Sequence, residues 1–140
     1  MTDDVFERRS RRFAEALEFL RGMSTTPFEA FAGNPEKYGS AERFLQVAVE
    51  ILDDLGAHVV ARADAGTVAS YRDVPQRLHE AGLLDAQQAT TWRRIIGFRN
   101  ILVHDYLEVD RAIVHDVLRN GLDDLRDLHR TLLAAHRRLG

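Results

Sequence analysis

Apolar residues recur with helical spacing along almost the whole chain, and this periodicity constrains the fold more than any other feature of the sequence. Proline, which interrupts helices, occurs only at positions 27, 35 and 75. The β-branched pairs Val59-Val60 and Ile95-Ile96 lie inside helical periodicity, so no segment is predicted to form a strand. We therefore expect an all-α protein, an antiparallel up-and-down bundle of four to five helices with short connections.

Start and stop signals divide this periodicity into helices. Asn34-Pro35 opens the long second helix, because proline suits the first helical position, and Asp85 and Asp110 are typical N-caps. Asn120-Gly121 predicts a kink in the final helix. No repeat or long linker divides the chain, so we expect one domain over residues 1–140. The predicted helices cover about residues 4–21, 35–63, 74–81, 86–104 and 111–138, with a short helical piece at 27–31.

Composition narrows the class of protein further. The 140 residues include no cysteine, which excludes disulfides, thiolate metal sites and a cysteine nucleophile. No stretch without a charged residue exceeds seven residues, so no membrane-spanning segment is expected. Asp3 and Asp4 stand where a signal peptide would be basic and then apolar, and we expect a cytoplasmic protein.

The charge balance does not favour attraction of nucleic acid to the whole surface, since the formal net charge is −3. Lys37 is the only lysine among the 19 basic residues. A GC-rich coding bias is the simpler explanation of this preference for arginine, although the planar arginine fork also suits phosphate groups. If RNA binds, it must therefore bind at a local basic site.

Common metal and nucleotide motifs are absent from the sequence: it has no phosphate-binding glycine loop, no dinucleotide fingerprint and no HExxH. None of the six histidines follows another by three or four residues, so neither a metal site nor another cofactor is expected. His58 borders the apolar stripe of the second helix, and we interpret it as a hydrogen-bonded core residue. His129 and His136 are interpreted as surface or helix-end residues.

The end of the fourth predicted helix places a charge among apolar residues. At about 100° per residue, Arg99 lies in the middle of an apolar arc of roughly 160°. A charged side chain there must have a partner or line a cavity, because burying it alone costs too much free energy. A buried pair with Asp53 or Asp54 of the second helix is one interpretation, and a ligand site is the other. The arc consists of Trp92, Ile95, Ile96, Phe98, Leu102 and Val103.

The opposite side of the same helix carries a polar stripe of Arg93, Gly97, Asn100 and His104. It is either an ordinary solvated face or a groove in which Asn100 orients His104 or a ligand hydroxyl. Five residues of unbroken helix would point Arg99 and His104 about 140° apart. They can serve one site only if the helix ends between them or if two subunits each contribute. The spacing therefore hints at a homodimer with a composite site.

These residues also carry a family resemblance. The pattern Arg99-x4-His104-x-Tyr106 resembles the RX4HXY signature of the HepT-type toxins in the HEPN (higher eukaryotes and prokaryotes nucleotide-binding) superfamily. The resemblance runs from about residue 3 to residue 135, and Pro75 in the third helix is its visible departure. Beyond the signature it rests on segments in the family's order and spacing: 44–53, 58–61, 70–72, 78–82 and 97–106.

The resemblance implies an HEPN-like fold and a metal-independent endoribonuclease, the toxin of a type VII-like toxin–antitoxin pair. Its partner would be an MntA-type nucleotidyltransferase antitoxin, which in this family transfers AMP to the tyrosine of the motif. By position, Arg99 and His104 correspond to the catalytic pair and Tyr106 to the AMPylated residue. Asn100 is a supporting residue on both the resemblance and the stripe, and Arg93 is one on the stripe.

The implied reaction is compatible with these residue types. Without a metal, RNA cleavage uses the substrate's own 2′-hydroxyl as nucleophile, so it needs a base and a cation at the phosphate. His104 can be the base, because an unperturbed histidine titrates near physiological pH. Arg99 can clamp the phosphate with two parallel hydrogen bonds. The products would carry a 2′,3′-cyclic phosphate and a 5′-hydroxyl, and DNA would resist because it lacks the nucleophile.

Two other functions fit the same sequence. The first alternative is a non-catalytic HEPN helical module that binds a nucleotidyltransferase partner, a nucleotide or both. The second is a plain dimerising bundle with a buried arginine–aspartate pair. For Tyr106, position alone favours a ring that covers the junction of the last two helices, whereas the resemblance favours an exposed hydroxyl.

Overall fold

Helix is the only regular secondary structure in residues 1–104 and 110–140, the part of the chain that the computed structural model describes. This confirms the all-α fold that the helical periodicity predicts. Within these residues no helix is both long enough and apolar enough to cross a bilayer. The helices are α1 (Asp3–Gly22), α2 (Phe28–Ala32), α3 (Pro35–Arg62), α4 (Asp73–Glu80), α5 (Ala86–His104), α6 (Arg111–Asn120) and α7 (Leu122–Leu139).

Several helices begin where a side chain satisfies the first free backbone N–H groups. The side-chain oxygen of Asn34 accepts two N–H groups of α3 at 3.0 and 3.3 Å. Asp110 accepts one N–H group of α6 at 2.9 Å. Asp85 and Gln88 cap α5 reciprocally, each side chain accepting the other's backbone N–H, at 2.7 and 3.0 Å. Pro75 lies in the first turn of α4, where a missing N–H costs no helical hydrogen bond.

The longest helix, α3, is the centre of the bundle, since it packs against α1, α4, α5 and α7. Gly56 lets α5 approach it closely, because a Cβ there would lie 2.5 Å from the ring of Trp92. The fully buried Trp92 thereby fixes α5 against the middle of α3. Apolar residues that recur at helical spacing along α1, α3, α6 and α7 form the core, and Phe44 and Val117 of the same stripes are half-buried. The buried members are Phe6, Phe13, Leu17, Leu20, Ala48, Ile51, Leu55, Val59, Val114, Leu118, Leu122, Leu125, Leu128 and Leu132.

Four helices of 18 to 28 residues, α1, α3, α5 and α7, form the body of the bundle. The single final helix that the sequence predicts is divided into α6 and α7 at Gly121, the site of the predicted kink. The backbone N–H of Gly121 donates to the carbonyl of Val117 at 2.8 Å, and a Cβ would lie 3.0 Å from that oxygen. The break between the two helices therefore falls at a residue without a side chain to crowd the Val117 carbonyl.

The prediction that His129 and His136 are surface or helix-end residues is wrong about their exposure, which is 8% and 7%. Seven residues make about two helical turns, so both lie on the apolar stripe of α7. The hydroxyl of Ser10 is hydrogen-bonded to Nε2 of His129 at 2.5 Å, and Phe6 stacks on His136 with ring centroids 3.8 Å apart. Burial lowers the pKa of His129 to about 4, so this imidazole is neutral at neutral pH.

The prediction that His58 is a hydrogen-bonded core residue is wrong on both counts, because the residue is half-buried and one of its ring nitrogens has no partner among the described residues. Its ring lies 5.3 Å from those of Phe6 and His136, and no described residue bonds its buried Nε2. One potential ligand atom each of Asp3, His58 and His136 lies within 4.8 Å of the others, a cluster that spacing along single helices does not reveal. The guanidinium of Arg62 already contacts Asp3 at 2.9 Å. The expectation that no metal binds stays a prediction.

Candidate functional site

The side chain of Arg99 has the partner that its position on an apolar arc requires. Trp92 and Ile96 of the same arc are buried, whereas 24% of the Arg99 side chain is exposed. Its Nη2 donates to Oε1 of Glu50 on α3 at 3.2 Å, and Nη1 donates to Oδ1 of Asn100 at 3.5 Å. Its Nε is buried and has no hydrogen-bond partner among the described residues. Arg99 thus lies at the boundary between core and solvent with its charge partly balanced.

The interpretation that Arg99 pairs with Asp53 or Asp54 is wrong, because other groups occupy both carboxylates. Asp53 is 1% exposed and accepts a hydrogen bond from Nε1 of Trp92 at 3.0 Å. Asp54 accepts the hydroxyl hydrogen of Tyr71. Glu50 lies one turn before Asp54 on the same helix, and its longer side chain reaches the guanidinium.

Burial raises the pKa of Asp53 to about 7, although the hydrogen bond from Trp92 and the charge of Arg99 both act in the opposite direction. Desolvation is the largest of these effects because almost none of the side chain touches solvent. Asp53 is therefore partly protonated near neutral pH. A protonated Asp53 leaves Glu50 as the main anionic neighbour of Arg99.

The predicted polar stripe lines two shallow depressions on the surface of α5. One, of about 240 Å³, is lined by Arg93, Gly97 and the loop residue Arg72. The other, of about 170 Å³, is lined by Arg99 and Asn100, with Arg72 again at its edge. The stripe is thus a grooved face rather than a flat one. Sequence reasoning did not assign Arg72 to the site, and the segment 70–72 was marked only by the family resemblance.

The two residues of the predicted catalytic pair lie on one continuous helix. The backbone of α5 is helical from Ala86 to His104, so the helix does not end between Arg99 and His104. An offset of about 140° therefore separates the directions of the two positions. The side chain of His104 and the whole of Tyr106 lie outside the described residues. Of the two expected ways in which Arg99 and His104 could serve one site, a helix that ends between them is contradicted.

An apolar groove of about 250 Å³ borders the same helix. Ile95 and Phe98 of the predicted apolar arc form one wall, and Leu45, Ile113 and Val117 contribute from α3 and α6. Ile113 is 43% exposed, as is Ile101 on α5. The arc residues Ile95 and Phe98 are themselves half-buried, so part of their apolar surface is accessible in this groove.

The amino-acid sequence of the chain is similar to sequences of ribonucleases. A model of the family described as "Ribonuclease HepT-like" matches residues 13–132. The chain is also similar to the curated "mRNA nuclease HepT" of Shewanella oneidensis, with 31% identity over 80 residues. That alignment covers 57% of this chain and 60% of the relative, so it spans less than two thirds of the relative's length.

Comparison with solved structures shows the same fold. The chain is similar to the tri-AMPylated Shewanella oneidensis HEPN toxin in complex with MNT antitoxin, with a TM-score of 0.84, 22% identity, and coverage of 96% of this chain and 99% of that one. It is also similar to the cytosolic protein of unknown function YutE from Bacillus subtilis, with a TM-score of 0.79, 17% identity, and coverage of 96% and 90%. At these identities the likeness establishes a common fold.

The titration of Asp53 predicts a pH dependence of stability. Because its pKa is about 7 in the folded protein and 3.8 in the reference state, folding takes up a proton between these values. The contribution of Asp53 to the free energy of unfolding therefore falls as pH rises through this range, by up to about 1.4 kcal/mol per pH unit. Asp53→Asn cannot ionise, so its stability relative to wild type should increase between pH 5 and pH 8, as urea unfolding can measure.

Trp92→Phe supplies the complementary variant. It removes the hydrogen bond that stabilises the ionised carboxylate, so the pH-dependent loss of stability should extend to higher pH. The comparison uses the shape of the pH profile, which the lost packing of the indole does not change. Parallel pH profiles for wild type and Asp53→Asn would contradict the assignment.

Proposed function

The chain belongs to the ribonuclease HepT-like family, and from this membership we propose that it is a metal-independent RNA endonuclease, the toxin of a toxin–antitoxin pair. Residues 1–140 would form one HEPN-like domain. The observation that supports this most directly is the position of Arg99. A guanidinium on an apolar arc keeps part of its surface in an open depression, where a phosphate can reach it.

Arg99 and His104 divide the proposed reaction between them. The 2′-hydroxyl oxygen attacks the adjacent phosphorus and its proton passes to His104. The bond from phosphorus to the 5′-oxygen of the next nucleotide breaks, and that oxygen takes a proton from water and leaves as a 5′-hydroxyl. Arg99 stabilises the charge that develops on the non-bridging phosphate oxygens. Its contact with Glu50 holds the fork in place before the substrate arrives, which lowers the cost of ordering a long side chain. Asn100 and Arg93 would support the substrate from the neighbouring turns.

The site is completed by a second copy of the chain in this proposal. Because α5 is unbroken between the two positions, Arg99 of one subunit would act with His104 of the partner subunit. The accessible apolar groove beside α5 is a surface that dimerisation can bury, with Phe98 and Ile113 on its walls. A homodimer would thereby bring both copies of α5 to one shared cleft.

The proposed partner and regulation follow from the relatives. The similar Shewanella toxin is tri-AMPylated and in complex with MNT antitoxin. We extend both features to this chain: an MntA-type nucleotidyltransferase would transfer AMP to Tyr106, two residues after His104. The tyrosine hydroxyl would attack the α-phosphorus of ATP and pyrophosphate would leave. The added phosphodiester would compete for Arg99 and repel the RNA backbone.

Purified, unmodified protein is expected to cleave single-stranded RNA in the presence of EDTA and to leave DNA of the same sequence intact. Arg99→Ala and His104→Ala should each lower the cleavage rate by at least about 100-fold, since both remove interactions with the transition state. Arg99→Lys should also be poor, because lysine lacks the planar fork. Gel assays with labelled RNA measure these rates, and circular dichroism checks the fold of each variant.

Arg130→Ala is the matched control for these variants, because Arg130 is an exposed arginine on α7, away from the candidate site. It should cleave at the wild-type rate. Full activity in His104→Ala, or loss of wild-type activity on chelation, would refute the mechanism. A folded wild type without any ribonuclease activity would favour the non-catalytic HEPN module.

The composite site predicts a homodimer in solution. Light scattering at micromolar concentration should give about twice the 15.9 kDa of one chain. Phe98→Glu places a charge on the wall of the apolar groove and should shift the mass toward the monomer while leaving the helix content unchanged. A wild type that is monomeric under these conditions contradicts the composite site.

AMP transfer predicts a defined change in mass. After co-expression with an MntA-type nucleotidyltransferase, intact-mass measurement should show additions of about 329 Da each, the mass of one AMP residue. Tyr106→Phe should carry no such addition, because it lacks the acceptor hydroxyl. Tyr38→Phe is the matched control, because Tyr38 lies near the start of α3, and it should be modified like wild type. Absence of added mass from wild type, or its location on another residue, would disprove this regulation but not the ribonuclease activity.

A further inference from the structure

The loop between α3 and α4 places an aromatic and a cationic side chain beside the candidate catalytic arginine. Tyr71 and Arg72 line the depression that contains Arg99, and Arg72 also lines the next depression along α5. The two depressions share Arg72 and the buried Ile96, so they are adjacent. We refer to the combined feature as the arginine groove, whose residues are Tyr71, Arg72, Arg93, Gly97, Arg99 and Asn100.

The loop has a defined conformation before any ligand binds. The carboxylate of Asp73 accepts the backbone N–H groups of Ala69 and Ser70 at 2.9 and 3.3 Å. The backbone N–H of Val74 donates to the carbonyl of Tyr71 at 3.2 Å. These bonds hold the turn at the start of α4. Tyr71 and Arg72 are therefore presented from an ordered turn.

The arginine groove holds three guanidinium groups, and the carboxyl among its lining residues is that of Asp53, whose pKa burial raises to about 7. Arg99 has Glu50 as a partner, whereas Arg93 contacts the neutral side chains of Gln76 and Thr90 at 3.5 and 3.3 Å. Arg72 is exposed and forms no salt bridge with any residue in the described ranges. In a protein of net charge −3, the groove is thus a local site that suits a phosphate backbone.

Tyr71 adds an aromatic surface to this charge. The residue is 40% exposed, and its hydroxyl donates a hydrogen bond to Asp54. This bond raises the pKa of Tyr71 to about 12, so the phenol is neutral at physiological pH. An anchored, neutral and partly exposed ring beside guanidinium groups is the combination that single-stranded RNA sites use for base stacking.

We propose that the arginine groove binds the single-stranded RNA next to the scissile phosphate, with a base stacked on Tyr71 and a flanking phosphate held by Arg72. This assignment rests on the proposed ribonuclease function. Arg93 and Arg99 are separated by about 9 Å along the axis of α5, so the groove has room for more than one nucleotide. Gly97 lies between them. A Cβ at this position would project into open space, with no atom within 4 Å, so the glycine leaves this part of the groove unfilled.

The test measures binding separately from cleavage. The probe is a fluorescent, single-stranded 2′-O-methyl oligoribonucleotide, which cannot be cleaved because its nucleophile is blocked. Fluorescence anisotropy with the full chain should show that Arg72→Ala weakens binding by about 5- to 10-fold and lowers the slope of log affinity against log salt by about one. Tyr71→Ala should weaken binding about 10-fold, and Tyr71→Trp should restore most of it by keeping an aromatic face.

Arg119→Ala, an exposed arginine on α6, is the matched control and should bind like wild type. Arg72→Glu is a second variant at the same position. Because Arg72 is exposed, reversing its charge should abolish binding of the probe without unfolding the bundle.

If wild type cleaves RNA but the Arg72 and Tyr71 variants bind the probe normally, the groove assignment is wrong and the ribonuclease proposal stands. If the variants lose binding but wild type cleaves nothing, the groove is correct and the catalytic proposal fails. A wild type that does not bind the probe overturns the groove.

Discussion

The ion pair between Arg99 and Glu50 links α5 to the central helix α3, and the arrangement of the candidate site depends on it. An arginine in the middle of an apolar arc cannot face the core without a counter-charge. Glu50 meets this requirement at 3.2 Å while 24% of the Arg99 side chain remains exposed. The guanidinium is thus held in one orientation but keeps donors for a second anion. This is the arrangement that a phosphate clamp requires, because a preorganised cation loses little entropy when the substrate binds.

One turn of α3 organises the elements around this pair. Its three carboxylates have different partners: Glu50 binds Arg99, Asp53 binds Trp92, and Asp54 binds Tyr71. The first two contacts fix α5 along α3, and the third fixes the loop that precedes α4. The helix of the candidate site and the loop before α4 are therefore both attached to the same turn of α3. The buried Asp53 also makes the stability of this part of the protein depend on pH, since burial raises the pKa of its carboxyl to about 7.

Sequence reasoning reached the fold because helical periodicity, caps and prolines act locally. Asn34, Asp85 and Asp110 begin helices by bonding neighbouring N–H groups, and such signals can be read along one segment. The same reasoning placed Arg99 at a site that needs a partner, but it could not select Glu50 over Asp53, because that choice depends on how α5 sits against α3. It also misjudged His129 and His136, whose burial follows from the packing of α7 on α1. Arg72 was missed because proximity between a loop and a distant helix leaves no periodic signal.

The central claim is that an unbroken α5 divides the catalytic pair between two subunits, and a mixed dimer tests it most directly. A heterodimer of one Arg99→Ala subunit and one His104→Ala subunit can be purified through two different tags. In a composite arrangement, one of its two sites combines an intact Arg99 with an intact His104 of the partner subunit. The account predicts RNA cleavage at about half the wild-type rate per dimer, although each variant alone is inactive. A heterodimer as inactive as its parents would contradict the account.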